Sequence, residues 1–431
     1  MKNNYEYKQQ KQRLINYIKN GEKKENNFKI GLEIEHFILE RDDLSAVPYF
    51  GDRGIETILR GLTGGDWEEV YEGDYLLGLK GKTGNISLEP GGQIEFSSFP
   101  YNDITSIGEV YRDFLERLKP ILSYYKMVLV NTGYQPVSRI SDIPLLPKKR
   151  YKYMYDYFKD KGRYAHHMMK GTASIQVNLD YHDEEDYNKK IRVASYLAPL
   201  VYTYFDNAPF FEGSIRHKGN VRFRIWDNCD NERCGLVKGV FRSSYSYCNY
   251  AEYILNTPAI ITTVDGDLIY SGKKKVREIF DPVSSDDKQI AHFLSMVFPD
   301  VRIKNHLEIR TGDSLPFSYS LAYIAFWKGL LYDHENLSLL AEELDELSAI
   351  EKNQQREIIK NQGLEGFFNG ITVLDKMKEL TSMASQGLPE KEKQFLQPLN
   401  GMLNKGLNPR LRCLSSVGNA KKEALSWCLL K

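Results

Sequence analysis

Carboxylates, amides and guanidinium groups fall on one parity of four short segments, and this is the pattern that could do chemistry. In Phe28 to Leu39, Glu33 and Glu35 share a parity with Phe37, while Phe28, Ile30, Leu32, Ile34 and Ile38 take the other. In Glu89 to Phe96, after the turn at Pro90-Gly91-Gly92, Gln93 and Glu95 alternate with Ile94 and Phe96. Thr172 to Asp180 sets Thr172, Ser174, Gln176, Asn178 and Asp180 against Ala173, Ile175, Val177 and Leu179. His306, Glu308 and Arg310 likewise oppose Leu307 and Ile309. A half-solvated antiparallel strand alternates in the same way. Ordinary solvent faces mix Lys, Glu and Thr, however, whereas these carry short-armed Glu, Gln and Asn with scarcely a lysine. Carboxylates brought together repel unless cations neutralise them, and Mg²⁺ with oxygen ligands completed by substrate phosphates is the usual solution. The implied chemistry is metal-assisted phosphoryl transfer.

Other motifs are weaker. Arg222 and Arg224 share a strand face ahead of Trp226; guanidinium groups suit bidentate capture of a substrate carboxylate, with surface ion pairing the alternative for either. The basic, aromatic stretch Lys148 to Lys170, with Lys148, Lys149 and Arg150 at its start, could stack on single-stranded RNA. In a chain without net charge it suits a snorkelling helix face or a phosphate contact better. Gly81-Lys82-Thr83 looks like the end of a phosphate-binding GxxxxGK[ST] loop, but Leu76 stands where its first glycine belongs, so it reads as a turn. No GxGxxG follows a strand, which argues against a dinucleotide fold. His166-His167 reads as an extended pair facing opposite ways, and His182 to Asp186 as a solvated helix start, rather than as zinc ligands.

The elements that must position these groups form an α+β body. With 431 residues, 42% apolar and 27% charged, the chain can bury a sizeable core and is not disordered. Its 58 basic and 58 acidic side chains supply no global field for nucleic acid or anionic lipid. Five cysteines without a CxxC pair make a disulfide scaffold unsuitable. The first 27 residues lack the apolar core of a secretory signal, and the longest apolar run, Tyr196 to Phe205, is too short to span a bilayer, so a cytoplasmic protein is expected. Helices are predicted over Tyr7 to Lys19, Asp103 to Lys126, Tyr151 to Lys159, Asp183 to Asn207 and Asp286 to Val297. Ser318 to Cys428 reads almost wholly as helix, giving a catalytic body over 1–317 and a helical region over 318–431 packed on the same unit.

Taken together, Gly31 to Phe37, Ser87 to Ser97, Met168 to Asp180, Asn207 to Gly213, Arg222 to Trp226, Tyr250 to Tyr253 and Glu308 to Arg310 resemble, in order, the blocks of the glutamate–cysteine ligase family in its plant and proteobacterial branch. The resemblance implies an antiparallel sheet curled into a funnel, similar to glutamine synthetase, holding ATP and Mg²⁺, with Mn²⁺ as the alternative ion. By the same analogy, Glu33, Glu35, Glu95 and Glu308 are metal-binding carboxylates with Glu89 beside them. Gln93, Gln176, Asn178 and Thr172 sit beside the nucleotide. Arg310 and Glu95 act in catalysis, and Arg222, Arg224, Trp226 and Tyr250 face the amino-acid substrates. The implied reaction phosphorylates the γ-carboxyl of glutamate, after which the amine of cysteine attacks the acyl phosphate; none of the cysteines of the chain is needed. Small-molecule partners, no nucleic acid, no membrane, and a monomer or homodimer follow. Competing readings are the same chemistry with another amine, a non-catalytic nucleotide-binding regulator, and a guanidino-type kinase. The chain departs from the plant-type pattern at Gly171-Thr172-Ala173, where Arg-Thr-Cys is typical, and the loss of the long Arg is expected to open volume beside the amino-acid site.

Overall fold

In the computed structural model, which describes residues 2–216, 219–264, 266–415 and 421–430, the alternating segments join one nine-stranded antiparallel sheet. Its strands are β1 (Ile30–Glu40), β2 (Glu68–Glu72), β3 (Tyr75–Lys80), β4 (Gly84–Leu88), β5 (Ile94–Ser98), β6 (Met127–Val130), β7 (Ser174–Leu179), β8 (Val301–Ile303) and β9 (Leu307–Asp313). They lie in the order β8-β9-β7-β1-β5-β4-β3-β2, and β6 pairs with the far half of β1, from Phe37 to Glu40. β1 is therefore the long central strand, flanked near its start by β7 and β5.

Among its helices are α1 (Lys2–Lys19), α2 (Ile104–Tyr124), α3 (Lys149–Phe158), α4 (Ala165–Gly171), α5 (Glu184–Tyr204), α6 (Val221–Asp227), α7 (Tyr247–Asn256), α8 (Asp287–Ser295) and, in the C-terminal region, α9 (Phe317–Leu331), α10 (His334–Asp345), α11 (Ala349–Gln362) and α12 (Val373–Gly387). α2 shows why one face of the sheet is closed. Asp103 caps it by accepting from Ser106 N, and Ile104, Ile107, Tyr111, Phe114, Leu115, Leu118 and Leu122 form a buried stripe at helical spacing. That stripe covers the apolar parity of β1 and β5: Phe114 stacks on Phe96 at 5.0 Å, and the Tyr111 hydroxyl lies 2.7 Å from His36 Nε2. Burial holds the His36 imidazole down at about 4, so it stays neutral in the core. With this face closed, the other parity is left for a site.

α9 is apolar on all sides and buried, and the main apolar cluster runs without a break from Leu14 through the sheet to Leu403. The C-terminal region is less uniformly helical than the sequence predicts, and residues 416–420 of it lie outside the described residues. It carries a hairpin of Phe367–Phe368 against Ile371–Thr372, and Leu430 N donates to Leu129 O at 3.0 Å, extending the pairing of β6. Among the described residues, no helix is long and apolar enough to cross a membrane.

The predicted strand from Glu89 is also divided. Glu89 to Gln93 is a tight turn between β4 and β5, closed by Gly92 N donating to Glu89 O at 2.8 Å. Gly92 sits at φ +83°, and a Cβ on Gly91 would lie 2.3 Å from Lys170 O. Both positions therefore require glycine, and the turn fixes Glu89 and Glu95 on either side of it.

Candidate active site

Strand register, rather than a local motif, assembles the site. Glu35 stands opposite Glu95 across β1 and β5, Glu33 opposite Gln176 across β1 and β7, and Glu308 opposite Asn178 across β7 and β9. Residues paired across antiparallel strands share a face. Glu33, Glu35, Glu89, Gln93, Glu95, Thr172, Gln176, Arg222, Trp226 and Arg310 all line one cavity above that face. Asn178 is not part of the lining, but its amide donates to Glu33 Oε1 at 2.8 Å.

The acidic wall is only partly satisfied. Glu35 accepts from Ser174 N at 2.8 Å, Ser174 Oγ at 3.0 Å and Gln176 Nε2 at 3.2 Å. Burial, with the charge of Glu89 added, nevertheless pushes its carboxyl up to about 7. Glu95 accepts from Ser87 Oγ at 2.9 Å and Ser97 Oγ at 3.2 Å, and is raised well above the ordinary carboxylate range by burial and by Glu89, Glu33 and Glu35. Tyr151 donates to Glu89 Oε1 at 3.1 Å. Hydrogen bonds alone do not offset the mutual repulsion of these groups.

Glu308 is placed differently from the other carboxylates expected to bind metal. Fully buried behind the lining, it is clasped by Arg302, with Nη2 at 2.7 and 3.0 Å from its two oxygens, by Lys304 at 2.6 Å, and by Arg310. Burial works against its charge, but the three cations outweigh it and hold the carboxyl well below its usual value. Its oxygens are taken up by cations of the chain, among them Arg310, which also bonds Gln176 Oε1.

The arginine segment differs as well. Val221 to Asp227 alternates like a strand but folds as α6, capped by Asn220 accepting from Phe223 N at 2.6 Å. On a helix, positions four apart share a face. Arg222 and Trp226 therefore turn together into the cavity, and Arg224 is exposed on the other side, away from it. The Arg222 and Arg310 guanidinium groups each sit 5.8 Å from the Trp226 ring. Arg222 is anchored by Asp313, with Nε 3.1 Å from Oδ1, and donates through Nη2 to Arg310 O at 2.9 Å. Burial and then Asp206 push Asp313 up to about 8 against the pull of Arg222.

Other expected positions have structural duties. Tyr250 lies in the core and does not line the cavity; its hydroxyl accepts from Ile303 N at 3.1 Å and so fixes β8. Gln93 bonds backbone at both ends of its amide, accepting from Gly91 N and donating to Thr172 O, each at 2.8 Å. Thr172 Oγ1 donates to Met168 O at 2.7 Å. Gly171 ends α4 rather than lying on a strand, and a Cβ there would meet the Tyr134 ring at 2.6 Å. Tyr134 thus occupies the expected extra volume, while Ala173 packs with Phe37 and Val130 in the smaller apolar cluster. His166 and His167 sit in α4, not on an extended segment.

Arg302 and Lys304 escaped the sequence reading, although their even spacing with Glu308 and Arg310 in one hairpin was a usable signal. Lys148 and Arg150, noted only within a basic stretch, line the cavity. The oxygen-only donor set of Glu33, Glu35, Glu89 and Glu95 fits a hard divalent cation, and their repulsion is what such an ion would relieve. Among the described residues no three acids, imidazoles or thiols already converge as a cage.

Residues 29–424 match the model of glutamate-cysteine ligase family 2. The chain is 32% identical over 419 residues to glutamate–cysteine ligase B, chloroplastic, of Oryza sativa subsp. japonica, covering 94% of this chain and 83% of that protein. It is 31% identical over 415 residues to the chloroplastic glutamate–cysteine ligase of Nicotiana tabacum, covering 94% and 79%. Its fold is similar to that of glutamate–cysteine ligase from Francisella tularensis in complex with AMP, with TM-score 0.52 at 12% identity, over 93% of this chain and 87% of that one. The expected α+β class with an antiparallel sheet is thus the observed one, and the chain belongs to glutamate-cysteine ligase family 2.

Proposed function

We propose that the cavity joins the γ-carboxyl of glutamate to the amine of cysteine using ATP, through a γ-glutamyl phosphate. The observation that carries this reading is a cluster of four mutually repelling carboxylates in a cavity also lined by Arg222 and Arg310. A divalent cation would relieve the carboxylates, and phosphate and carboxylate substrates would meet the arginines. The similarity to plant glutamate–cysteine ligases and to the Francisella enzyme in complex with AMP supports the same reading.

Glu33, Glu35, Glu89 and Glu95 would hold Mg²⁺, or Mn²⁺ in its place, which when bound neutralises phosphate charge. Arg310, steadied by Glu308, faces the transferring phosphoryl group. Arg222, braced by Asp313, takes an amino-acid carboxylate, with Trp226 shielding both guanidinium groups from water. The γ-carboxylate oxygen displaces ADP from phosphorus; the amine nitrogen then attacks the acyl carbon, phosphate leaves, and the proton of the amine passes to solvent. The chain contributes alignment, charge neutralisation and dryness.

The acceptor is the open choice, because Gly171 is closed over by Tyr134 and Ala173 points into the apolar cluster, so neither supplies a polar group to it. A screen of amines with ATP and glutamate fixed, following phosphate release, tests the proposal. Brisk release with cysteine is expected; release with another amine alone would replace cysteine, and none with any amine would overturn ligation. A cytoplasmic location belongs to the same proposal, and cell fractionation checks it.

A further inference from the structure

The cavity holds two cations for which the reading so far has no use. Lys148 directly precedes α3 and Arg150 lies in its first turn, and both line the cavity. The other arginines of the lining each have a carboxylate partner, Glu308 for Arg302 and Arg310 and Asp313 for Arg222. Neither Lys148 nor Arg150 has a carboxylate partner among the described residues: Arg150 Nη2 donates to Ser295 O and Oγ, both at 3.2 Å, and Lys148 Nζ lies 4.8 Å from the Tyr151 ring centre. Burial pulls both below their ordinary proton affinities, so the protein keeps two charges where they are costly. The start of α3 adds the positive end of a ten-residue helix.

An amino-acid carboxylate brings one charge and is served by the Arg222 fork. Two unpaired cations one residue apart, with Glu89 acting on both, instead suit a chain of anionic groups running toward the acidic wall. Met154 and Phe298 give the same cavity an apolar flank for a flat ring. We propose that Lys148 and Arg150 grip the phosphate chain of the nucleoside triphosphate, as positioning residues that set where its terminal phosphorus lies. This rests on the ATP-dependent reading above.

The test uses Lys148→Met and Arg150→Met, which keep an alkyl stem and remove the charge. Calorimetric titration with MgATP, inorganic tripolyphosphate and adenosine, without amino acids, is compared with the KM for glutamate. Each variant is expected to weaken MgATP and tripolyphosphate by about ten-fold or more, to leave adenosine and the glutamate KM within about two-fold, and Arg150→Lys to recover part of the loss. Folded variants with undiminished tripolyphosphate affinity, or a loss confined to glutamate, overturn the assignment. If a variant shows no melting transition, the unaltered protein decides: tripolyphosphate that fails to displace MgATP overturns it, and displacement supports it. Phosphate-chain binding that depends on these residues, without phosphate release for any amine, keeps the grip and removes the ligase reading. Normal ligation with unaffected variants does the reverse.

Discussion

Glu308 and the carboxylates of Glu35 and Glu95 occupy the same face of one sheet, within a few strands of each other, yet the protein treats them in opposite ways. Three cations surround Glu308 and hold it ionised. Glu35 and Glu95 meet hydroxyls, amides and one another, and burial raises both. Equal chemistry on an equal face therefore does not mean equal duty. A neutralised carboxylate is architecture, and a frustrated cluster is a place waiting for a ligand.

The comparison breaks or holds first at Glu308. Glu308→Gln leaves the buried Arg302 and the half-buried Lys304 and Arg310 without their common anion, and a loss of about 3 kcal/mol in unfolding free energy is expected. A urea denaturation midpoint near that of the unaltered protein would mean Glu308 is not the anchor described.

Glu35 should show the opposite behaviour, and pH reveals it. Its folded carboxyl titrates at about 7 against an ordinary 4.5, so between those values the folded state holds a proton that the unfolded state has lost. The Glu35 share of the metal-free protein's stability should fall by about 3 kcal/mol as pH rises through that window, beside contributions of the same sign from Glu95 and Asp313. Glu35→Gln is expected to flatten the slope; a slope of the same size in the variant would assign it to other groups.

Smaller still is the relief at Glu95. Glu95→Gln should gain about 1 kcal/mol when metal-free, because one repelling charge is gone, and should abolish most of any rise in melting temperature on adding Mg²⁺. Turnover should drop by about two orders of magnitude or more. Destabilisation with near-normal turnover would place Glu95 with Glu308, not against it.

The smallest effect separates the two arginines of α6. Arg222→Ala should raise the KM for an amino-acid substrate by about ten-fold while sparing that for ATP. Arg224→Ala, on the exposed side, should change either by less than about two-fold.

The acidic wall was legible because strand alternation has period two: once Glu33, Glu35, Glu95 and Gln176 are placed on the polar parity, closing the opposite parity with α2 leaves them only one side to face. Val221 to Trp226 defeated the same rule. Its apolar and basic residues alternate as a strand would, but Asn220 starts a helix there, and periodicity over six residues cannot separate the two. The fate of Glu308 was hidden for another reason. Its neutralisation depends on how β8 folds back on β9, which brings Arg302 opposite it, and pairing is a tertiary fact that residue types only hint at. Tyr250 shows the remaining gap: a tyrosine in a family-like block is as readily a core hydroxyl satisfied by a backbone amide as a substrate contact.

The register that builds the site also sets when it can form. Ser174 reaches Glu35 across 139 residues of chain, Asn178 reaches Glu33 across 145, and Arg310 reaches Gln176 across 134. Closing such loops costs little more free energy than closing shorter ones, but chance encounters between distant segments are slow. α2 and the β4–β5 hairpin need only neighbours, so in refolding they should appear early, with the cavity completed last. Recovery of nucleotide binding is then expected to lag behind recovery of helical signal, and the chain would pass through a stage that has its helices but no place for a substrate.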